Sequence, residues 1–252
     1  MSTDDRPRGV IRLGGPSGPP RTEPVAGPTT SSPPRARTRP PELTRAAPHT
    51  RFGGRGALQA NLNWLPGSGA DLNLCCLISF KDGTVKVVQA LADDYGSLTS
   101  WPYVALDHDD RTGESSDGET LRVNPEHRAL FDRLLFFVYI YEGAVDFRRL
   151  GAAVSVTAPG DPGCRILLDE SPAGSIACAV ALVTPDGAGL TVRREVRWFP
   201  GHPVLSSHEQ IDRAYGFGVE WTPTEKPPRR PVDPRRGDST APRDRNGPEA
   251  GR

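Results

Sequence analysis

Between Asp107 and Glu119 the chain reads DHDDRTGESSDGE. These thirteen residues carry six carboxylates: Asp107, Asp109, Asp110, Glu114, Asp117 and Glu119. Arg111 is the balancing base, and Gly113 and Gly118 allow sharp backbone turns. Carboxylates this close repel one another unless water or a cation neutralises them. Calcium suits the task, because it gathers about six to eight oxygens from carboxylates and carbonyls. The spacing is not that of the helix-loop-helix calcium motif. Counted from Asp107, the fifth position is Arg111, the glycine comes seventh and Glu119 comes thirteenth. A second oxygen-rich patch lies at Asp71 and Asn73, two apart at the start of an apolar run, so both point to one face of a strand and Leu72 and Leu74 to the other. Asp169 and Glu170 are weaker candidates. The residues alone leave two readings open: a calcium shell, or a solvated acidic turn beside a solvent-facing strand end.

Strands must position these groups. Period-two alternation and β-branched content predict strands near 58–64, 72–80, 84–90, 120–123, 134–142, 152–157, 164–169, 175–183 and 190–199. Lys81–Gly83 and Pro185–Gly189 read as hairpin turns. LLFFVYIYE is apolar on both faces, which predicts a central strand covered from both sides. Two short helices are expected, one from Asn124 to about Arg133 and one capped by Ser206 or Ser207 and stopped by Gly216. The fold class is mainly β: a β-sandwich with one or two short helices, flanked by disordered tails.

Composition sets the boundaries. Residues 1–56 hold ten arginines against Asp4, Asp5, Glu23 and Glu42 and repeat Pro-rich phrases. Residues 222–252 hold eight bases against five acids, again with many prolines. Neither can bury enough apolar surface to offset chain entropy, so both are expected to be disordered, with one domain at 57–221. The domain keeps 22 acids against 13 bases, although the whole chain has zero net charge. The start MSTDDRPRGV carries no secretory pattern, and the longest apolar run is too short to span a bilayer. Cys75, Cys76, Cys164 and Cys178 then read as reduced thiols, which points to the cytoplasm. Cys75 and Cys76 are adjacent, hence on opposite faces of a strand, and form no zinc pattern. No nucleophile elbow or phosphate loop occurs, so no catalytic residues are assigned. His208 and Asp212 share a helix face, where a hydrogen bond is expected. Arg148 and Arg149 are candidates for an anion or for pairing with the acidic loop. The four tryptophans read as packing residues.

The segments LNWLPGSGADLNLCCLISFKDG, VVQALADDYGSLTSWPYVALDHDDRTGESSDGETLRVN, LLFFVYIYEG and DRAYGFGVEW together resemble the TerD-like family of tellurite-resistance and general stress proteins, most closely its TerA-type branch. The resemblance runs from about Leu58 to Trp221. The family's Asp-Asn-x-Thr-Gly loop appears as Asp109-Asp110-Arg111-Thr112-Gly113. Its closing Asp-Asp-Glu appears as Asp117-Gly118-Glu119, and its Asp-Leu-Asp strand start as Asp71-Leu72-Asn73.

The resemblance implies a sandwich that binds Ca2+ between the loop and that strand. Asp71, Asn73, Asp109, Asp110, Asp117 and Glu119 are the implied ligands, with the Thr112 carbonyl, and Asp107 able to compensate from the loop's start. Two departures matter. Asn73 keeps an oxygen but loses a charge, and Gly118 replaces an acid in a loop one residue shorter, so binding should weaken or fall to a single ion. The implied function is a non-enzymatic, calcium-binding stress-response module that works with protein partners in an assembly. Its basic tails would make weak, salt-sensitive contacts with anionic surfaces without reading a specific nucleic acid. The alternatives are a metal-free interaction scaffold with a structural acidic loop, and a carbohydrate-active hydrolase using two loop carboxylates.

Overall fold

The computed structural model describes residues 40–114, 118–224 and 226. Twelve strands form two six-stranded sheets stacked as a sandwich. In chain order they are β1 (His49–Phe52), β2 (Leu58–Asn63), β3 (Asp71–Phe80), β4 (Val85–Val88), β5 (Gly96–Ser97), β6 (Val104–Leu106), β7 (Glu119–Val123), β8 (Phe131–Glu142), β9 (Ala153–Thr157), β10 (Cys164–Leu167), β11 (Ser175–Asp186) and β12 (Gly189–Pro200). One sheet has the order β1-β12-β11-β8-β3-β4 and the other β10-β9-β2-β7-β6-β5. Every strand pair is antiparallel.

Alternation along the strands builds two apolar layers. Leu72, Leu74, Cys76 and Ile78 of β3 point between the sheets, where they meet Leu62, Leu121 and Val154. Cys75 and Leu77 point outward, with Leu135, Phe137 and Tyr139 of β8. That outer face is covered by the helix α1 (Ser207–Tyr215) through Ile211, and by Phe217 just beyond it. β8 lies between β11 and β3 and is buried from Leu134 to Ile140, as an apolar run on both faces requires. Helix α1 has the anticipated ends: a Ser206–Glu209 capping box and Gly216 in the left-handed region. β12 bulges opposite Val180, where Val196 has φ 44°, and this raises the local twist.

The boundaries move at three places. Residues 40–56, expected in a disordered tail, fold onto the domain. β1 pairs with β12, Leu43 and Phe52 are buried in the core, and the Leu43 N–H donates to the Arg165 carbonyl. Averaging composition over the arginine-rich stretch diluted these two anchors. The helix expected at 124–133 is a 3-10 turn, Pro125–Leu130, because Phe131 already pairs with Phe80 in β8. Lys226, also assigned to a tail, is buried. Residues 1–39, 225 and 227–252 of the expected tails lie outside the described residues.

Candidate cation site

β3 is paired along its whole length with β8, but with β4 only from Cys76 to Ser79. Its first half therefore has an open edge, and here the acidic loop docks. Asp71 and Asn73 emerge on one side of β3, both fully buried, and the Asn73 Nδ2 donates to Asp71 Oδ1 at 3.0 Å. Among the described residues the buried Asn73 Oδ1 has no hydrogen-bond partner. On the open edge the Leu74 N–H donates to Glu119 Oε2 at 2.6 Å, replacing the bond a neighbouring strand would have made. Glu119 Oε1 accepts from the Asp110 N–H at 3.2 Å, so one carboxylate ties β3 to both ends of the loop.

The loop is a chain of turns closed by its own carboxylates. Asp110 Oδ1 accepts from the Thr112 N–H, the Thr112 hydroxyl and the Gly113 N–H. Asp107 Oδ1 accepts from the N–H groups of His108 and Thr120, and Asp107 Oδ2 lies 3.7 Å from Arg122. Asp109 Oδ2 accepts from Arg111 Nε at 2.7 Å, and Asp109 Oδ1 accepts from the Lys226 ammonium. Gly113 has φ +70°, and a Cβ there would lie 2.6 Å from Trp64 Nε1. Trp64 itself donates from Nε1 to the Ala70 carbonyl, so one indole props both the loop and the residue before Asp71. Gly118 has φ +55°, and a Cβ would meet the Leu62 carbonyl oxygen at 2.0 Å. Backbone crowding leaves no room for a side chain at this position. Asp117 lies outside the described residues.

A cation stands in the site. Lys226 Nζ lies 2.9 and 3.2 Å from the two oxygens of Asp71 and 2.6 Å from Asp109 Oδ1. Its side chain is 1% exposed, as is that of Asp71. The ammonium sits 4.9 Å from the centre of the Tyr141 ring, whose hydroxyl accepts from the Lys226 N–H. Burial pushes the Asp71 carboxyl above its usual range, with Lys226 pulling it back. Burial likewise drives Glu119 well above the ordinary carboxylate range, against the pull of the Leu74 amide.

This donor set fits a hard cation. Two carboxylates converge on one positive charge, and the orphaned Asn73 Oδ1 is a neutral oxygen beside them. Among the described residues no three His, Cys, Asp or Glu side chains form a ready metal cluster, so further oxygens would have to come from carbonyls or water. Asp110, Thr112, Asp107 and Glu119 bond the loop's own backbone and side chains and fix its shape. Lys226 was missed by sequence reasoning. Its one signal was being the single lysine in a C-terminal stretch otherwise supplied with arginine.

Other expectations resolve locally. The four cysteines are free and buried, on opposite faces for Cys75 and Cys76, and burial pushes the Cys164 thiol to about 12. Glu170 pairs with Arg45 and Arg194, away from the site. Arg148 pairs with Asp146 rather than with the acidic loop, and holds that carboxyl down at about 2. His208 and Asp212 do not bond each other. Asp212 accepts from the N–H groups of Phe217, Gly218 and Val219 and from Trp221 Nε1. His208 is enclosed by the rings of Phe137, Tyr139 and Trp221.

No protein-family model matches the chain. Over 181 residues it is 32% identical to a tellurium resistance protein TerA from Alcaligenes sp., covering 66% of this chain and 52% of that protein. The chain thus spans about half the length of this curated relative. Among solved structures, a homologue of the telluride resistance protein TerD from Streptomyces coelicolor A3(2) covers 60% of this chain and 94% of its own, at 22% identity and a TM-score of 0.45. A protein of unknown function covers 60% and 93%, at 16% identity and the same TM-score. No helix among the described residues is long and apolar enough to cross a membrane. The sequence relationship makes this chain similar to a tellurium-resistance protein of the TerA type.

Proposed function

We propose that the junction of β3 with the acidic loop is a calcium site, and that the domain acts as a binding module in a stress-response assembly rather than as a catalyst. The observation that carries this reading is the convergence of Asp71 and Asp109 on one buried positive charge. Two carboxylates desolvated together are costly unless a cation neutralises them, and calcium would do so with oxygens the site already presents. Asp71, Asn73 and Asp109 would hold the ion. Asp107, Asp110, Thr112 and Glu119 would hold the loop, and Asp117 falls within the same loop. Deep burial and raised thiol pKa values leave the cysteines poorly suited to reducing a metal oxyanion. Binding to protein partners is the remaining role, with the basic termini as candidate tethers.

Terbium luminescence tests the reading. Terbium replaces calcium in oxygen sites, and Trp64, in contact with Ala70 and Gly113, is placed to sensitise it. Emission that rises on adding terbium and is quenched by excess calcium supports the site. Emission absent from the wild type, or unchanged by Asp71→Asn, contradicts it. The metal-free scaffold is the second reading, because Lys226 and Arg111 already neutralise both carboxylates.

A further inference from the structure

We propose that the acidic site is also a binding site for a primary alkylammonium, the chain's own Lys226, and that Ca2+ and this ammonium are mutually exclusive ligands. Calcium then releases the C-terminal stretch from the domain. The inference rests on the calcium reading above.

The geometry is that of an occupied site. All three short contacts of Nζ go to Asp71 and Asp109, the pair expected to hold the metal. The lysine side chain is almost wholly buried, so its charge depends on these two partners. A divalent ion bound to the same oxygens would lie within a few ångströms of the ammonium. The ion would need the oxygens that Nζ already holds, both of Asp71 and Oδ1 of Asp109, and like charges at that range repel strongly in a buried site.

The stretch that carries Lys226 is built to let go at one point. Trp221 is fastened by its Nε1 to Asp212, which also gathers three backbone amides after α1. Beyond this anchor Thr222, Pro223 and Thr224 are exposed, and the Thr224 hydroxyl bonds only locally, to the Thr222 carbonyl. Lys226 follows as the next buried residue, held by its ammonium and by Tyr141. Among the described residues after Trp221, the hydrogen bonds to the sandwich are the three of this ammonium and the one from the Lys226 N–H to Tyr141.

Release would also change a surface. Residues 221–224 form one wall of a cavity of about 710 Å3 whose other side includes Gln89, Leu91 and His208. Gln89 Oε1 and His208 Nε2 are buried there without hydrogen-bond partners among the described residues. The cavity wall at Thr224 and the buried Lys226 thus lie two residues apart in the chain.

The test uses the full chain, wild type and Lys226→Gln, each also carrying Thr224→Cys with a fluorophore, the native thiols being buried. Calcium affinity is measured by titration calorimetry and label mobility by fluorescence anisotropy. Exclusion predicts that Lys226→Gln binds calcium at least about tenfold more tightly, because the competitor's occupancy no longer reduces the competent fraction. It also predicts that calcium lowers the label's anisotropy in the wild type, and that Lys226→Gln shows the low value before calcium is added. Equal calcium affinity in both proteins, with anisotropy insensitive to calcium, overturns the exchange while the calcium site survives. Absence of calcium binding in both overturns the calcium reading and the exchange together.

Discussion

The Glu119 carboxylate sits 2.6 Å from the backbone nitrogen of Leu74, across the gap between β7 in one sheet and β3 in the other. It completes the open edge of β3 and holds the acidic loop through the Asp110 N–H. Replacing it by alanine leaves two buried amides unpaired, each costing about 1–3 kcal/mol. Glu119→Ala should therefore lower unfolding stability by about 3 kcal/mol in denaturant titration with or without calcium. A loss confined to the calcium-loaded protein would make Glu119 a metal ligand instead of a structural tie.

Asp71 and Asp107 should separate in the same way. Asp71 faces the cation, whereas Asp107 bonds the His108 and Thr120 amides. Asp71→Asn is expected to weaken calcium binding at least about tenfold, equivalent to about 1.4 kcal/mol or more. Asp107→Asn should cost stability and leave affinity within about threefold, since it loosens a turn without removing a facing oxygen. Calorimetric titration of both variants checks this, and reversed effects would exchange their roles.

Much of this arrangement was legible in the sequence. Alternation in Asp71–Phe80 and Ser175–Asp186, and the two-sided apolar run in Phe131–Glu142, depend on burial that each strand records in its own residues. β1, β5 and β6 left little trace. Strands of two to four residues are specified by the neighbours they pair with, as His49–Phe52 is by β12. The same limit applies at the site. Asp71 and Asn73 announce a shared face by their spacing, and the acids of the loop announce themselves by number. Lys226 lies 155 residues from Asp71, and no periodicity links the two. Gly118 read as a missing ligand until its neighbour, the Leu62 carbonyl, came into view.

Gly113 is held in the left-handed region against the Trp64 ring. Gly113→Ala adds a methyl where the indole stands and strains the backbone by about 1–3 kcal/mol. Because Trp64 also bonds the Ala70 carbonyl, the change should reach Asp71. The expected result is a lower melting temperature, a red-shifted tryptophan emission and weaker calcium binding. Unchanged emission would mean that the indole does not prop the loop.

His208, packed on Tyr139, sets a pH dependence of its own. Burial lowers its pKa from 6.5 to about 4, with Glu209 pulling weakly upward. The unfolded chain therefore binds a proton that the folded one refuses between those values. Stability from this group is complete above pH 6.5 and is lost as pH falls toward 4, by about 3 kcal/mol in all. His208→Leu keeps the packing against Phe137 and Tyr139 and should flatten that limb of the stability–pH profile. An equally steep limb in the variant would assign the effect elsewhere.

The most direct measurement is calorimetric titration of calcium into the full chain after chelation, with magnesium as control and the Asp71→Asn/Asp109→Asn double variant alongside. The account predicts saturable, calcium-selective heat in the wild type, tighter binding in Lys226→Gln, and none in the double variant. No heat and no thermal stabilisation at millimolar calcium, in either the wild type or Lys226→Gln, would contradict it.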